Sequence, residues 1–167
     1  MVVTNRLMVS SEDDQEKFVP QWLRPITVAK FYSSCETHRS KERNYYCRVC
    51  MLSFCKVCKE QHDRSKHEIP TVYKTSCMAS FRIKDLKPLW DISSIHLYTF
   101  NGCLVAVIYK KGIGISRSCY KNRVAECESC RYGLKLPSAK YYSVECKVEA
   151  PLRMDESMVL MKRQRAS

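Results

Sequence analysis

The chain has 167 residues, 11 of them cysteine, and a formal net charge of +12. That length gives one domain or two very small ones, and no stretch approaches the roughly 18 apolar residues of a membrane-spanning helix. A secreted disulfide scaffold is disfavoured: the cysteine count is odd, the spacings are C-x2-C and C-x2-H, and Met1 to Val19 reads as no signal peptide. Reduced thiolates that hold metal in the cytosol or nucleus suit these features better. The hydrophobic fraction of 45% includes the cysteines, so the apolar core is modest and metal takes over part of its role. The basic excess is spread over the middle of the chain and not held in a tail. It fits a polyanionic partner, although a solvated basic surface has the same composition.

Residues 1–19 carry Glu12-Asp13-Asp14 and show no periodicity; they read as a flexible acidic arm. Trp22, Leu23, Ile26, Val28 and Phe31 then recur in the manner of a short helix or bent turns, with Pro25 limiting any helix that crosses it. Trp22 is expected to pack in the core, and with Phe31 to lie against the first metal site.

Residues 35–67 hold the densest chemistry. Cys35, His38, Cys47, Cys50, Cys55, Cys58, His62 and His67 follow the pattern C-x2-H-x8-C-x2-C-x4-C-x2-C-x3-H-x4-H. Thiolate and imidazole in fours suit zinc in closed tetrahedra, which leave no open position for chemistry. Two pairings are open. Sequential pairing gives 35/38/47/50 and 55/58/62/67. A cross-brace gives Cys35, His38, Cys55 and Cys58 for one zinc, and Cys47, Cys50, His62 and His67 for the other. The four-residue link Met51–Phe54 is short for an independent second finger, which favours the cross-brace. The spacing resembles the B-box class of zinc fingers. Cys47–Cys50 and Cys55–Cys58 read as zinc knuckles, and Lys59–His62 as the start of a helical turn. Arg39, Lys41, Arg43, Arg48, Lys56, Lys59, Arg64 and Lys66 interleave the ligands and are the candidate DNA contacts.

Beyond His67 the pattern becomes β-rich. Glu68–Ser76 and Ser80–Ile83 read as strands, and Lys84–Trp90 as a helical turn that Pro88 curtails. Ile95–Phe100 and Cys103–Tyr109 flank Asn101-Gly102, a strong hairpin signal because both turn positions need positive φ. Cys103 reads as a buried small apolar residue and His96 as a strand-surface side chain. Lys110–Arg117 is a basic loop able to lie along phosphates or simply to connect. Cys127-x2-Cys130 is a third knuckle, and Cys146 lies beyond it. Three thiols are one short of a closed zinc site: either Cys119, water or another side chain is the fourth donor, or the site has decayed. The tail ends in the basic run Lys162-Arg163-Gln164-Arg165.

The expected organisation is an arm at 1–19, a double zinc finger at 20–68, a β-rich unit at 69–148 and a flexible tail at 149–167. The expected fold class is a small zinc-stabilised α+β protein. In it a cross-brace, B-box-like finger precedes a hairpin-containing unit with an incomplete C-terminal zinc knuckle.

With these residues in hand, the chain resembles the PLATZ family, the plant AT-rich sequence- and zinc-binding proteins, from about Pro20 to Val148. The carriers are Pro20-Gln21-Trp22-Leu23, Phe31 and Tyr32, the eight ligands, Asp91–Ile95, Tyr98, Asn101, Cys127-x2-Cys130 and Cys146-Lys147-Val148. The resemblance implies zinc-dependent binding of A/T-rich double-stranded DNA, a nuclear location and transcriptional control, often repression. It also implies contacts with transcription machinery, including RNA polymerase III components in some relatives. One departure stands out: the family's second motif ends C-x3-C, and here its first cysteine is Tyr142. A neutral phenol is a poor zinc ligand. The alternative function is a protein-interaction module, the role of most B-boxes. An enzyme is disfavoured, since the spacing is not a RING pattern and no nucleophile–base or acid pair is visible.

Overall fold

The computed structural model describes residues 19–62, 67–76, 78–112 and 122–165. The acidic arm up to residue 18, Arg64, Lys66, Cys119 and most of the basic loop after Gly112 lie outside the described residues. Over the described residues the chain is a small α+β protein. Helix α1, Leu23–Ile26, is a single turn that buries Leu23 and Ile26. Pro25 is tolerated there because the N–H groups of a first turn have no intrahelical acceptor in any case. Strands β1 (Tyr45–Cys47) and β2 (Leu52–Phe54) form an antiparallel hairpin that pairs Cys47 with Leu52. Helix α2, Lys56–Gln61, follows at once, with Cys55 as its N-cap.

The chain then turns back along β1. Arg48 N–H donates to the Glu68 carbonyl, Tyr46 N–H to Pro70 and Val72 N–H to Asn44. Residues 68–72 therefore run beside the finger hairpin, and the division expected at 68/69 is not a break in the backbone bonding. The Tyr46 hydroxyl, on a fully buried side chain, donates to the Trp22 carbonyl at 3.0 Å. The Tyr32 hydroxyl donates to the Val72 carbonyl at 2.6 Å.

A four-stranded antiparallel sheet follows, built from β3 (Tyr73–Thr75), β4 (Met78–Arg82), β5 (Tyr98–Phe100) and β6 (Cys103–Val107) in the order β3-β4-β6-β5. Helix α3, Ile83–Leu86, is the expected turn before Pro88. The β5–β6 hairpin forms as predicted, with Asn101 at φ 48° and Gly102 at φ 73°. The sheet separates two cores, because side chains alternate between its faces. Ala79, Phe81, Ala106 and Ile108 join Trp22, Leu23, Ile26, Tyr46, Leu86 and Trp90 on one side. Val107 joins Cys127, Tyr132, Leu134, Tyr142 and Cys146 on the other. A small hairpin of β7 (Ala125–Glu126) and β8 (Gly133–Leu134) carries the third knuckle into that second cluster.

Helix α4, Val144–Arg165, is the longest element. Val144 and Val148 enter the first core and Cys146 the second, so its first turns bind both faces together. The residues read as a tail from 149 continue this helix to Arg165, with Pro151 inside it. Two further readings are corrected. His96 is buried, with its backbone N–H donating to the Tyr141 carbonyl. Cys103 is only half-buried, at the first position of β6.

Candidate metal centres

The eight candidate ligands of residues 35–67 converge as two groups of four, and the groups interleave. Cys35, His38, Cys55 and Cys58 bring their donor atoms within 4.8 Å of one another, and so do Cys47, Cys50, His62 and His67. The contributing elements explain this. Cys47 ends β1, and Cys50 sits in the turn before β2. Cys55 caps α2, Cys58 lies in its first turn, and His62 is its C-cap. Since β2 is only three residues long, the two C-x2-C pairs face different partners across the hairpin. The Cys50 amide donates to Cys47 Sγ at 3.3 Å and the Cys58 amide to Cys55 Sγ at 3.4 Å, the tight turns expected of thiolate knuckles. Met51, directly after Cys50, takes the left-handed φ of 56° that closes the first of these turns.

The spacings suit a tetrahedral ion. Zinc–sulfur bonds of about 2.3 Å and zinc–imidazole bonds of about 2.05 Å give tetrahedron edges of about 3.8 Å between sulfurs and about 3.6 Å from sulfur to nitrogen. Cys35 and Cys58 sulfurs lie 3.6 Å apart, and His38 Nδ1 lies 3.8, 3.5 and 3.3 Å from Cys35, Cys55 and Cys58. In the second group His67 Nδ1 is 3.4 Å from both Cys47 and Cys50, and His62 Nε2 is 3.6 Å from Cys50. The two imidazoles approach to 2.8 Å. The thiols divide their protons accordingly. The His38 backbone amide lowers Cys35 to about 6, while burial, with the bonds to Cys35 and Cys55, raises Cys58 to about 11. Both groups fit a metal that takes four thiolate and imidazole donors.

The third group contains Cys127, Cys130 and Cys146, with donor atoms again within 4.8 Å of one another. Its knuckle repeats the backbone of the first: Arg131, directly after Cys130, has φ 63°, and its N–H donates to the Cys127 carbonyl at 2.9 Å. Cys146 arrives from the first turn of α4. Bonds from Cys130 and then Cys146 draw Cys127 far below a thiol's usual value, and bonds to Cys127 and then Cys130 raise Cys146. The Tyr142 backbone N–H donates to Cys127 Sγ at 3.2 Å, but its hydroxyl points away and meets Met78 Sδ at 3.4 Å. Ser143, which sequence reasoning missed, donates its hydroxyl to Cys146 Sγ and accepts from the Cys146 amide, both at 3.2 Å. The S-x2-C spacing was its only signal. Among the described residues no fourth cysteine, histidine or carboxylate completes this group.

Six of the eight candidate DNA contacts lie within the described residues. Arg39, Lys41 and Lys56 are exposed. Lys59 is half-buried over the Tyr45 ring, 4.2 Å from its centroid. Lys56 and Lys59 line a cleft of about 430 Å³ with Tyr45, Glu60, His67 and Ile69, beside the second ligand group. Arg43 and Arg48 are engaged internally. Arg43 donates twice to Ser33 Oγ. Arg48 pairs with Glu68 and lies over Trp22. Their positions in the sequence gave no sign of these partners.

Taken together, these features define a small α+β protein with three thiol-rich groups that can hold metal ions. The family model described as PLATZ transcription factor matches residues 73–148, so this stretch of the chain is similar to the PLATZ transcription factor family. The matched stretch contains the four-stranded sheet and the third thiol group, and begins after the eight ligands of residues 35–67. No curated protein and no solved structure matches the chain.

Proposed function

We propose that the chain is a nuclear, non-enzymatic regulator of transcription that binds A/T-rich double-stranded DNA through a zinc-held finger. In this reading Cys35, His38, Cys55 and Cys58 hold one zinc, and Cys47, Cys50, His62 and His67 hold a second, in a B-box-like cross-brace. The metal supplies structure: it clamps loops that have too little apolar surface to fold alone. Arg39, Lys41, Lys56 and Lys59, with Arg64 and Lys66, meet phosphates, and arginines read the narrow minor groove of A/T tracts. A repressive role and contact with RNA polymerase III components extend the same reading. The observation that carries it is the junction of a transcription-factor family match with exposed cations on loops that the four-donor groups fix in place. The test is titration of A/T-rich and G/C-rich duplexes at several salt concentrations, with and without chelator. Tighter A/T binding that falls with salt and is lost with chelator is expected. Binding indifferent to both salt and chelator overturns the reading.

A second reading, a protein-interaction module, draws on one observation. Met158, Val159, Leu160 and Met161 are exposed together near the end of α4. That cluster suits an apolar partner surface. Co-precipitation of transcription subunits by a protein with no measurable duplex affinity is the outcome that selects it. Among the described residues no helix is long and apolar enough to cross a membrane.

A further inference from the structure

The third thiol group differs from the other two in one respect that decides its chemistry. We infer that Cys127, Cys130 and Cys146 form an open metal site, which binds a soft d10 ion through three thiolates and leaves its fourth position to a donor from outside. The inference rests on the metal-binding reading above and goes beyond it, because the other two groups are closed.

The geometry carries this. The knuckle backbone at Cys127–Arg131 is formed, with the same left-handed residue after its second cysteine as in Cys47–Met51. Cys127 and Cys146 are fully buried, and the Tyr142 backbone N–H already donates to Cys127 Sγ at 3.2 Å. The three sulfurs already lie within 4.8 Å of one another. Among the described residues the group lacks a fourth donor. Tyr142 brings its backbone to the group, yet its ring is packed edge-on against Tyr132, 4.7 Å between centroids, and its hydroxyl is committed toward Met78. Swinging that buried ring onto the metal would empty part of the second core. Ser143 Oγ, 3.2 Å from Cys146 Sγ, is a neutral hydroxyl and a helix-capping group, engaged with the Cys146 amide.

Three protein ligands with one free position is the arrangement in which a zinc ion exchanges ligands, whereas four-donor structural sites stay closed. Three soft thiolates select thiophilic ions over hard ones. A small thiol or the cysteine of a bound partner is the class of donor that suits the free position.

The experiment uses the full chain loaded with zinc, followed by native mass spectrometry during competition with a chelator, and by cobalt(II) substitution. Three ions per chain are expected, one of which leaves at least tenfold faster than the other two. Cys127→Ser removes that fast ion alone. Tyr142→Cys supplies the missing thiolate and makes the third ion as slow as the others. In the cobalt form, added β-mercaptoethanol shifts the absorption of the third ion in the wild type and not in Tyr142→Cys. Cys119→Ser leaves the fast ion in place. A third ion as inert as the first two, no spectral response to the thiol, or loss of the fast ion in Cys119→Ser overturns the open site. Loss of the two slow ions in Cys127→Ser also overturns it. Absence of the two slow ions from the wild type instead defeats the reading of residues 35–67, so the two failures are distinguishable.

Discussion

Lys147 shows how much a single side chain can do that its sequence position does not announce. It follows Cys146 on α4, and its ammonium is almost fully buried. Nζ donates to the Asp91 and Ser93 carbonyls at 2.9 and 2.7 Å and to Asp91 Oδ2 at 3.1 Å, over the Trp90 ring. A buried charge is tolerated only when paired and fully bonded. Lys147→Met leaves those acceptors unsatisfied, so a loss of about 2 kcal/mol is expected in urea unfolding. The partner gives a pH signature. Burial opposes ionisation of Asp91, but bonds from Ser93 and the Lys147 ammonium outweigh it and lower its pKa. A depressed carboxylate contributes stability above its unfolded value, near 4, and that contribution fades as pH falls. Wild type should therefore lose stability below about pH 4, and Lys147→Met should show a flatter acid limb. Equal acid limbs would rule out this pairing. At this scale the sequence was least legible. His96 looked like a strand-surface residue because period-2 alternation says nothing about a second layer, yet the side chain is buried. Its Nε2 accepts from the Lys135 amide, a contact from a distant hairpin. Arg43 and Arg48 looked like free cations for the same reason.

Elements were legible where local chemistry fixes them. Asn101-Gly102 demands a tight turn, and the turn is there because both residues reach positive φ. Among the described residues, its chain neighbours aside, none comes within 4 Å of a methyl group placed at Gly102. Gly102→Ala therefore tests backbone strain without a clash. It should cost about 1 kcal/mol, read as a lower denaturation midpoint with unchanged m-value. A neutral result would mean that the turn relaxes to another type. The strands β3, β4 and β6 and the one-turn helix α3 were read close to their positions, since β-branched runs and Pro88 mark them. Helix α4 was not. Pro151 stands inside it, where the missing N–H and the ring clash cost about 3 kcal/mol in a helix interior. Its apolar residues also follow no single face. What stabilises its first turns is packing of Val144, Cys146 and Val148 into two cores at once, which no local pattern encodes. Pro151→Ala should raise helical ellipticity and the unfolding midpoint together. A variant with unchanged ellipticity would show that the proline costs this helix nothing.

At the scale of the whole molecule, the metal groups and the apolar cores are joined through shared strands. The clustering of the eight cysteines and histidines was legible because soft donors at fixed spacing are a local signal, and the expectation of interleaved groups came from the four-residue link at Met51–Phe54. The joining was not legible, because it depends on which backbone lies beside which. Tyr46 and Cys47 are neighbours on β1: one is buried in the main core, the other belongs to the second ligand group, and both are fully buried. Residues 68–72 bond along the same strand and lead directly into β3. Displacement of β1 would therefore loosen Trp22, which holds the Tyr46 hydroxyl, and expose the face of the sheet that α1 covers. Metal removal should then unfold more than residues 35–67. Structural zinc sites contribute many kcal/mol to folding, and each kcal/mol moves the midpoint of a domain this size by about 2–4 °C. A drop of more than about 10 °C is expected on chelation or in Cys47→Ser. Trp near-UV ellipticity and far-UV strand signal should be lost in a single transition. Two separated transitions, with the tryptophan signal surviving the first, would show instead that the four-stranded sheet and its cores stand without the finger.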